Sequence, residues 1–147
     1  MKITETAKTY SEYLREQNIT DDLYSAYQKQ TGLSDAEFWC LFSVYKGECE
    51  YQHEISRHMF MNKQTVNFAL KQLERKSFLQ MVIPPENQRL RKVVLTEQGR
   101  LFSKKHLAYI DELGEQTWSS LSCEEQTSIL SGMRKINSVL SSALKTE

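Results

Sequence analysis

The sequence is poor in proline, glycine and cysteine, and it contains no long apolar run. Its 147 residues include two prolines, five glycines and three cysteines. The glycines never form a G-x-G or G-x-S-x-G pattern, which excludes phosphate-binding loops and hydrolase nucleophile elbows. No stretch approaches the roughly 18 apolar residues of a membrane span. The first residues lack the apolar core of a signal peptide, and we therefore expect a cytoplasmic protein without membrane contact.

Candidate catalytic and metal sites are also scarce. His53 and His58 resemble the zinc-binding H-E-x-x-H pattern, but five residues leave two helical side chains about 140 degrees apart. We expect no enzyme, no catalytic residue, no metal and no cofactor. The three cysteines contain no C-x-x-C pair, which argues against a disulfide framework. Cys40, Cys49 and Cys123 fit buried or half-buried thiols, and redox sensing by one of them is the open alternative.

The charges are strongly segregated along a chain whose net charge is zero. From residue 57 to residue 105, eleven Lys and Arg stand against three acids, a net charge of +8, and the remainder carries −8. A basic centre inside acidic flanks is the pattern expected when one surface meets a polyanion. The length fits one domain with a hydrophobic core of its own.

Helix signals dominate both ends of the chain. Two S-x-x-E sequences, at residues 34–37 and 122–125, predict helices that begin near 35 and 123. A first helix is expected from about residue 4 to residue 30, with an interruption at residues 18–21. The last helix carries an apolar stripe at helical spacing, formed by Ile129, Met133, Ile136, Leu140 and Leu144.

The centre of the chain changes from helical to strand periodicity. Two short helical patterns lie between residues 52 and 76, and Asn62 is a favoured cap for the second. Residues 80–83 and 91–95 then read as antiparallel strands, joined by a loop that holds both prolines. Thr96 can cap a further long helix. The predicted fold is mainly α with a small two-stranded β-wing: a helix-turn-helix and a hairpin between long N- and C-terminal helices.

The second of the short helices has one apolar side and one polar side. At 100 degrees per residue, Val66, Ala69, Leu70 and Leu73 form a core-facing stripe. The opposite side holds Gln64, Phe68, Lys71 and Arg75, with Asn67 and Gln72 at its margins. Amides read adenine edges, Arg and Lys read guanine or hold phosphate, and Phe contacts a thymine methyl group. A solvated polar face is the alternative, but an outward Phe needs a partner.

Several residues over 34–100 stand at the spacing of known motifs. Leu73-Glu74, Arg89, Leu95-Thr96 and Gly99 match L-E-x-x-G, D-x-R and L-T-x-x-G. In this respect the segment resembles the winged helix-turn-helix of the MarR family (multiple antibiotic resistance regulators). Ser77 replaces the usual Gly, so it must take a left-handed backbone at a cost of about 1 kcal/mol or end the helix differently. Asn87 replaces the usual Asp, and it offers Arg89 a hydrogen bond but no charge.

The resemblance implies a homodimer that binds double-stranded DNA. It implies a DNA-binding region at 34–100 and a helical dimerisation region at 1–33 and 101–147, within one structural domain. The implied function is a transcriptional regulator, a repressor of a palindromic operator released by a small aromatic ligand or a stress signal. The alternative is a protein-interaction module that uses the basic face. The expected DNA-binding residues are Asn62, Lys63, Gln64, Thr65, Asn67, Phe68, Lys71, Arg75, Arg89, Arg91 and Lys92.

Aromatic residues are concentrated on the helices that enclose a cleft in that family. The candidate pocket for a planar aromatic effector consists of Tyr13, Tyr27, Trp39, Phe42 and Tyr109. Aromatic side chains at helical spacing also form ordinary core, so both interpretations remain open.

Overall fold

The computed structural model describes residues 4–144, and the outermost ends of the predicted dimerisation region, 1–3 and 145–147, lie outside them. The chain divides into two compact units, with the boundary between Leu107 and Ala108. The described residues form six helices and two strands. Their bounds are α1 Glu5–Thr31, α2 Asp35–Tyr45, α3 Gln52–His58, α4 Lys63–Arg75, β1 Leu79–Val82, β2 Lys92–Leu95, α5 Glu97–Ser119 and α6 Cys123–Ala143. The predicted mainly α fold with a two-stranded wing is confirmed.

The two S-x-x-E sequences start helices as predicted. The Ser34 hydroxyl accepts from the Glu37 amide at 3.2 Å, and the Glu37 carboxylate accepts from the Ser34 amide at 3.4 Å. Ser122 and Glu125 form the same reciprocal pair at the start of α6, at 3.2 and 2.7 Å. Each pair satisfies two amides that have no partner inside the helix.

The predicted interruption of the first helix at residues 18–21 is wrong, because α1 is continuous from Glu5 to Thr31. That span contains no glycine or proline. The Thr20 hydroxyl donates to the Glu16 carbonyl at 3.2 Å, so its hydrogen bond stays within the helix. The helix ends at Gly32, whose φ of 75° is the left-handed conformation that glycine adopts without a Cβ clash.

The core of the first unit is built between α2 and α4. Val66, Ala69, Leu70 and Leu73 are all buried, which confirms the predicted stripe on α4. They pack with α2, whose Phe38 and Leu41 are fully buried. An ion pair of 2.5 Å between the buried Glu37 carboxylate and Lys76 ties the start of α2 to the end of α4. Lys76 also donates to the Gly32 carbonyl at 3.3 Å. These contacts hold α4 with its polar side outward.

The sheet is an antiparallel pair in which Leu79 faces Leu95 and Val82 faces Lys92. It is shifted by about one residue from the predicted strands. β1 ends before Pro84, which has no amide to donate, and β2 begins after Arg91, whose carbonyl accepts from the Gln52 amide at 2.9 Å. The wing, residues 83–91, therefore projects from a short ribbon.

The start of α5 is fixed against the loop that follows α4. The Thr96 amide donates to the Phe78 carbonyl at 3.1 Å, and the Thr96 hydroxyl caps the Gly99 amide at 2.9 Å, as predicted. A Cβ on Gly99 would lie 1.8 Å from the Phe78 carbonyl oxygen. Only glycine allows this approach.

The second unit contains the remainder of α5 and all of α6. No residue of α6 between Cys123 and Ala143 is buried. Its predicted apolar stripe is exposed: Ile136 is 36%, Leu140 48% and Leu144 69% accessible. No helix within residues 4–144 is long and apolar enough to cross a membrane.

Candidate nucleic-acid interface

The exposed side of α4 matches the prediction from the helical projection. We call its four residues the outward face of α4: Gln64, Phe68, Lys71 and Arg75. The cations and the amide are exposed, and the Phe68 ring is 65% accessible. Asn62 caps the helix, accepting from the Gln64 amide at 2.7 Å. The acid of this helix, Glu74, accepts from the Met81 amide at 3.0 Å. The Glu74 carboxylate therefore anchors β1. The outward face of α4 carries cations, an amide and an aromatic ring.

The end of α4 has Ser77 at the position where glycine is usual. Ser77 has a φ of 63°, so it adopts the left-handed conformation. Its amide donates to the Glu74 carbonyl at 2.9 Å, and the Phe78 amide donates to the Leu73 carbonyl at 3.0 Å. This is the Schellman arrangement that usually places glycine at this position. The Ser77 carbonyl also accepts from the Thr96 hydroxyl at 2.5 Å, which helps to hold the turn.

The wing consists of two successive turns that share Asn87. The Asn87 amide donates to the Pro84 carbonyl, and the Leu90 amide donates to the Asn87 carbonyl, both at 3.2 Å. Pro84 is buried. The Asn87 side chain accepts from the backbone amide of Arg89 at 3.1 Å. Asn87 therefore fixes the Arg89 backbone, and among residues 4–144 the Arg89 guanidinium has no hydrogen bond or ion pair.

A cavity of about 380 Å³ lies between α3, α4 and the wing, and we call it the wing groove. Three cationic side chains line it, Lys63, Arg89 and Arg91, and no acid does. Arg91 is held by two carbonyls of the wing, those of Gln88 at 2.9 Å and Leu90 at 3.0 Å. Its full lining is Gln52, His53, Ser56, Lys63, Val66, Asn67, Arg89 and Arg91. A concave site with three cations and no acid suits an anionic group.

The contribution of α3 to this groove was not predicted from the sequence. The Gln52 side-chain amide donates to the Asn67 side-chain oxygen at 3.4 Å. The rings of His53 and Tyr51 are stacked, with their centres 6.0 Å apart. His53 and His58 point to different partners, as their spacing implies, because His58 bonds to Glu48 at 2.9 Å. The helical pattern over residues 52–59 was visible, but nothing in it showed that the wing folds over it.

Lys92 is the one predicted cation of the wing and its following strand that does not line the groove. It pairs with Glu50, and that carboxylate raises the pKa of Lys92 above its ordinary value. Lys92 lies outside the groove because the strand period of two sends neighbouring side chains to opposite faces. Arg91 therefore lines the wing groove, while Lys92 lines a separate cavity with Glu50 and Arg100. Lys92 is set apart from the other candidate DNA contacts.

The predicted effector residues are only partly brought together. Trp39 contacts Phe42 with ring centres 5.5 Å apart, and it contacts Tyr24 at 5.8 Å. The Tyr27 hydroxyl donates to the His106 carbonyl at 2.9 Å. Tyr13 is half-buried on α1, and Tyr109 is exposed in the second unit. One aromatic cluster thus contains Trp39, Phe42 and Tyr24, of which Tyr24 was not predicted.

Trp39 also lines a cavity of about 510 Å³ at the start of α2. Its other lining residues are Asp21, Asp22, Tyr24, Ser25, Gln28 and Asp35. The cavity therefore combines two aromatic rings with three carboxylates. Such a lining favours ligands that are neutral or positively charged over anionic ones.

The thiols differ sharply in environment. Burial raises the pKa of Cys40 to about 12, and burial also raises the pKa of Cys49. Both thiols stay protonated near neutral pH and are poor nucleophiles. Cys123 is exposed at the start of α6.

Comparisons with known proteins agree with this architecture. The model of the MarR family matches residues 33–90 of the chain, and no curated protein matches it. The S. aureus MepR–DNA complex has a TM-score of 0.72 at 22% identity, over 89% of this chain and 97% of that chain. The MarR family regulator NMB1585 from Neisseria meningitidis has a TM-score of 0.75 at 16% identity, over 92% and 96%. Reduced AbfR bound to DNA has a TM-score of 0.66 at 18% identity, over 92% of each chain.

Proposed function

Because residues 33–90 match the model of the MarR family, we propose that this protein is a sequence-specific DNA-binding transcriptional regulator of the cytoplasm. The observation that carries the proposal is the surface formed by the outward face of α4 and the wing groove. It joins exposed cations, amides and an aromatic ring with a cationic concavity. Two of the structural neighbours, MepR and AbfR, are DNA complexes.

The proposed contacts divide into two groups by chemistry. Gln64, Asn67, Phe68 and Lys71 stand where a helix in the major groove presents side chains to base edges. The groups that position DNA through its phosphates are the groove cations Lys63, Arg89 and Arg91, together with Arg75 and the α4 N-terminus at Asn62 and Thr65. The groove cations share no acid among the lining residues, so they are available to a phosphate.

We propose a homodimer formed through α1 and α6. Both helices expose large apolar residues: Leu23 on α1 is 67% accessible, and Val139 on α6 is 61%. A soluble monomer rarely leaves such a series uncovered. A two-fold dimer reads two half-sites about 10 bp apart, so the operator is palindromic.

We propose that the protein is a repressor and that a small aromatic ligand releases it. The ligand site that fits best is the cavity beside Trp39, Tyr24 and Asp35. A ligand that binds better to the DNA-free state lowers DNA affinity by shifting the population. The three carboxylates favour a neutral or cationic aromatic ligand over a phenolic acid. A thermal-shift screen of aromatic compounds of each charge, followed by DNA release, tests this preference.

Binding to the DNA upstream of its own coding region, measured by gel shift at ~0.1 M salt, tests the proposed function. Phe68→Ala and Lys71→Ala should each weaken binding about tenfold, because one base contact is worth about 1–3 kcal/mol. Both residues are exposed, so stability should change by no more than about 0.5 kcal/mol. Lys8→Ala, which removes an exposed cation from α1, is the matched control and should bind like wild type. Unchanged affinity in both α4 variants would reject the assignment of this face.

A further inference from the structure

The turn between α3 and α4 contains a backbone conformation that its sequence makes costly. Phe60 has a φ of 52°, and with Ser77 it is one of two non-glycine residues of positive φ within residues 4–144. Its side chain is 96% exposed, the highest value among the large apolar residues described. A bulky residue in the left-handed region is strained. An aromatic ring left in water adds a second cost.

The turn is held in this conformation by a complete set of hydrogen bonds. The Met61 amide donates to the Ser56 carbonyl at 3.1 Å, and the Phe60 amide donates to the Arg57 carbonyl at 3.4 Å. The Ser56 hydroxyl donates back to the Met61 carbonyl at 2.7 Å. This is the same Schellman arrangement that ends α4 at Ser77, and it holds Phe60 at the position that glycine most often occupies.

Glycine occupies the equivalent position elsewhere in this chain. α1 ends at Gly32, and the turn after α2 places Gly47 at a φ of 73°. Glycine at position 60 would remove both the backbone strain and the exposed ring. A phenylalanine kept at this position at both costs is what we expect of an apolar side chain that contacts a partner.

Continuity with the wing groove identifies the partner. Phe60 lies two residues before the α4 cap Asn62 and three before Lys63, which lines the groove. Ser56, which fixes the turn, lines the same groove. Arg57, at this turn, is the first cation of the basic segment 57–105, which carries few acids. Phe60 therefore lies between two lining residues of the groove, Ser56 and Lys63, along the chain.

We infer that Phe60 is a further DNA-contacting residue, whose ring packs on the apolar face of the deoxyribose sugars next to the phosphates held in the wing groove. The inference rests on the proposed DNA-binding function. Sugar contacts position a protein on DNA without reading sequence. Loss of the ring should therefore weaken binding to operator and to unrelated DNA by the same factor, unlike loss of Phe68.

Phe60→Gly tests this inference because its two expected effects have opposite signs. The variant should be more stable, with a Tm raised by about 2–4 °C. It should bind both operator and unrelated DNA about tenfold more weakly, as expected for uncovering a half-buried Phe ring. Ser77→Gly is the matched control, since it relieves the same backbone strain at the other end of α4. It should raise Tm similarly and leave DNA affinity unchanged.

Phe60→Tyr keeps the ring and should retain the affinity of wild type within about twofold. If Phe60→Gly binds DNA as tightly as wild type, the inference is overturned and the ring serves another partner. If Phe60→Gly loses operator binding but keeps its affinity for unrelated DNA, the sugar contact is also wrong. A wild-type protein that binds no DNA would instead reject the proposed function, so the two failures are distinguishable.

Discussion

Replacement of Gly99 by alanine should strongly destabilise the fold. The added Cβ would lie 1.8 Å from the Phe78 carbonyl oxygen and 2.7 Å from its carbon. Carbon and oxygen need a little over 3 Å, so the start of α5 must move by roughly 1.5 Å. That movement pulls on the bond of 3.1 Å from the Thr96 amide to the Phe78 carbonyl. It also pulls on the bond of 2.5 Å between Thr96 and Ser77.

The magnitude follows from these contacts. Overpacking against rigid backbone costs about 1–3 kcal/mol, and each weakened hydrogen bond adds about 1 kcal/mol. With two bonds weakened, we expect Gly99→Ala to lower the free energy of unfolding by about 3–5 kcal/mol, which is a large share of the stability of a domain of this size. Urea unfolding followed by circular dichroism measures this change.

Gly114→Ala is the matched control on the same helix. A Cβ at Gly114 meets no atom within 4 Å. Alanine favours a helix over glycine by about 0.8–1.0 kcal/mol, so this variant should gain stability. A Gly99→Ala protein with the unfolding midpoint of wild type would refute the claim that the approach of α5 to Phe78 requires glycine.

Two further predictions concern pH and thiol chemistry. The amides of Glu50 and Tyr51, at 2.8 and 3.0 Å, lower the pKa of Glu54 below its ordinary 4.5. The stability that the Glu54 carboxylate adds to the fold is therefore present above about pH 4.5, and it is lost as pH falls through the lowered pKa of the folded state. The stability difference between wild type and Glu54→Gln, from denaturant unfolding, should be largest at neutral pH and shrink in acid; a difference that grows in acid would contradict this sign. With an aromatic disulfide reagent at pH 8, the folded protein should react quickly at one thiol, Cys123, because burial raises the pKa of Cys40 to about 12. Cys123→Ser should abolish this fast reaction, and fast labelling that survives it would show that a buried thiol is accessible.

The local signals in the sequence predicted the elements that depend on neighbouring residues. The Ser34 and Ser122 boxes, the Asn62 cap and the buried stripe of α4 all follow from interactions within three or four positions. The predicted break in α1 failed because Asn18, Thr20 and Asp21 are weak helix formers that a long helix tolerates. The strand ends were predicted only to within a residue, since the pairing with residues 50–52 fixes where β2 begins.

The cations Lys63, Arg89 and Arg91 were predicted as separate DNA contacts, but the groove that they line together was not. The outward face of α4 follows from helical geometry alone. The wing groove depends on how the wing approaches α3, so Gln52, His53 and Ser56 left no signal in the sequence. The separation of Arg91 from Lys92 required the strand register, in which Lys92 faces Val82. The left-handed turn at Phe60 was not predictable from the sequence either, because phenylalanine is rare in that conformation.

The salt dependence of DNA binding tests the central claim most directly. If wild type neutralises about six phosphates with the cations of α4 and the wing groove, log affinity for the upstream DNA should fall against log salt with a slope of about −5. Arg89→Ala should make that slope shallower by about 2, because each of the two protomers in the complex neutralises one phosphate fewer. A flat salt dependence in wild type, or a slope that Arg89→Ala leaves unchanged, would contradict the assignment of this surface to DNA.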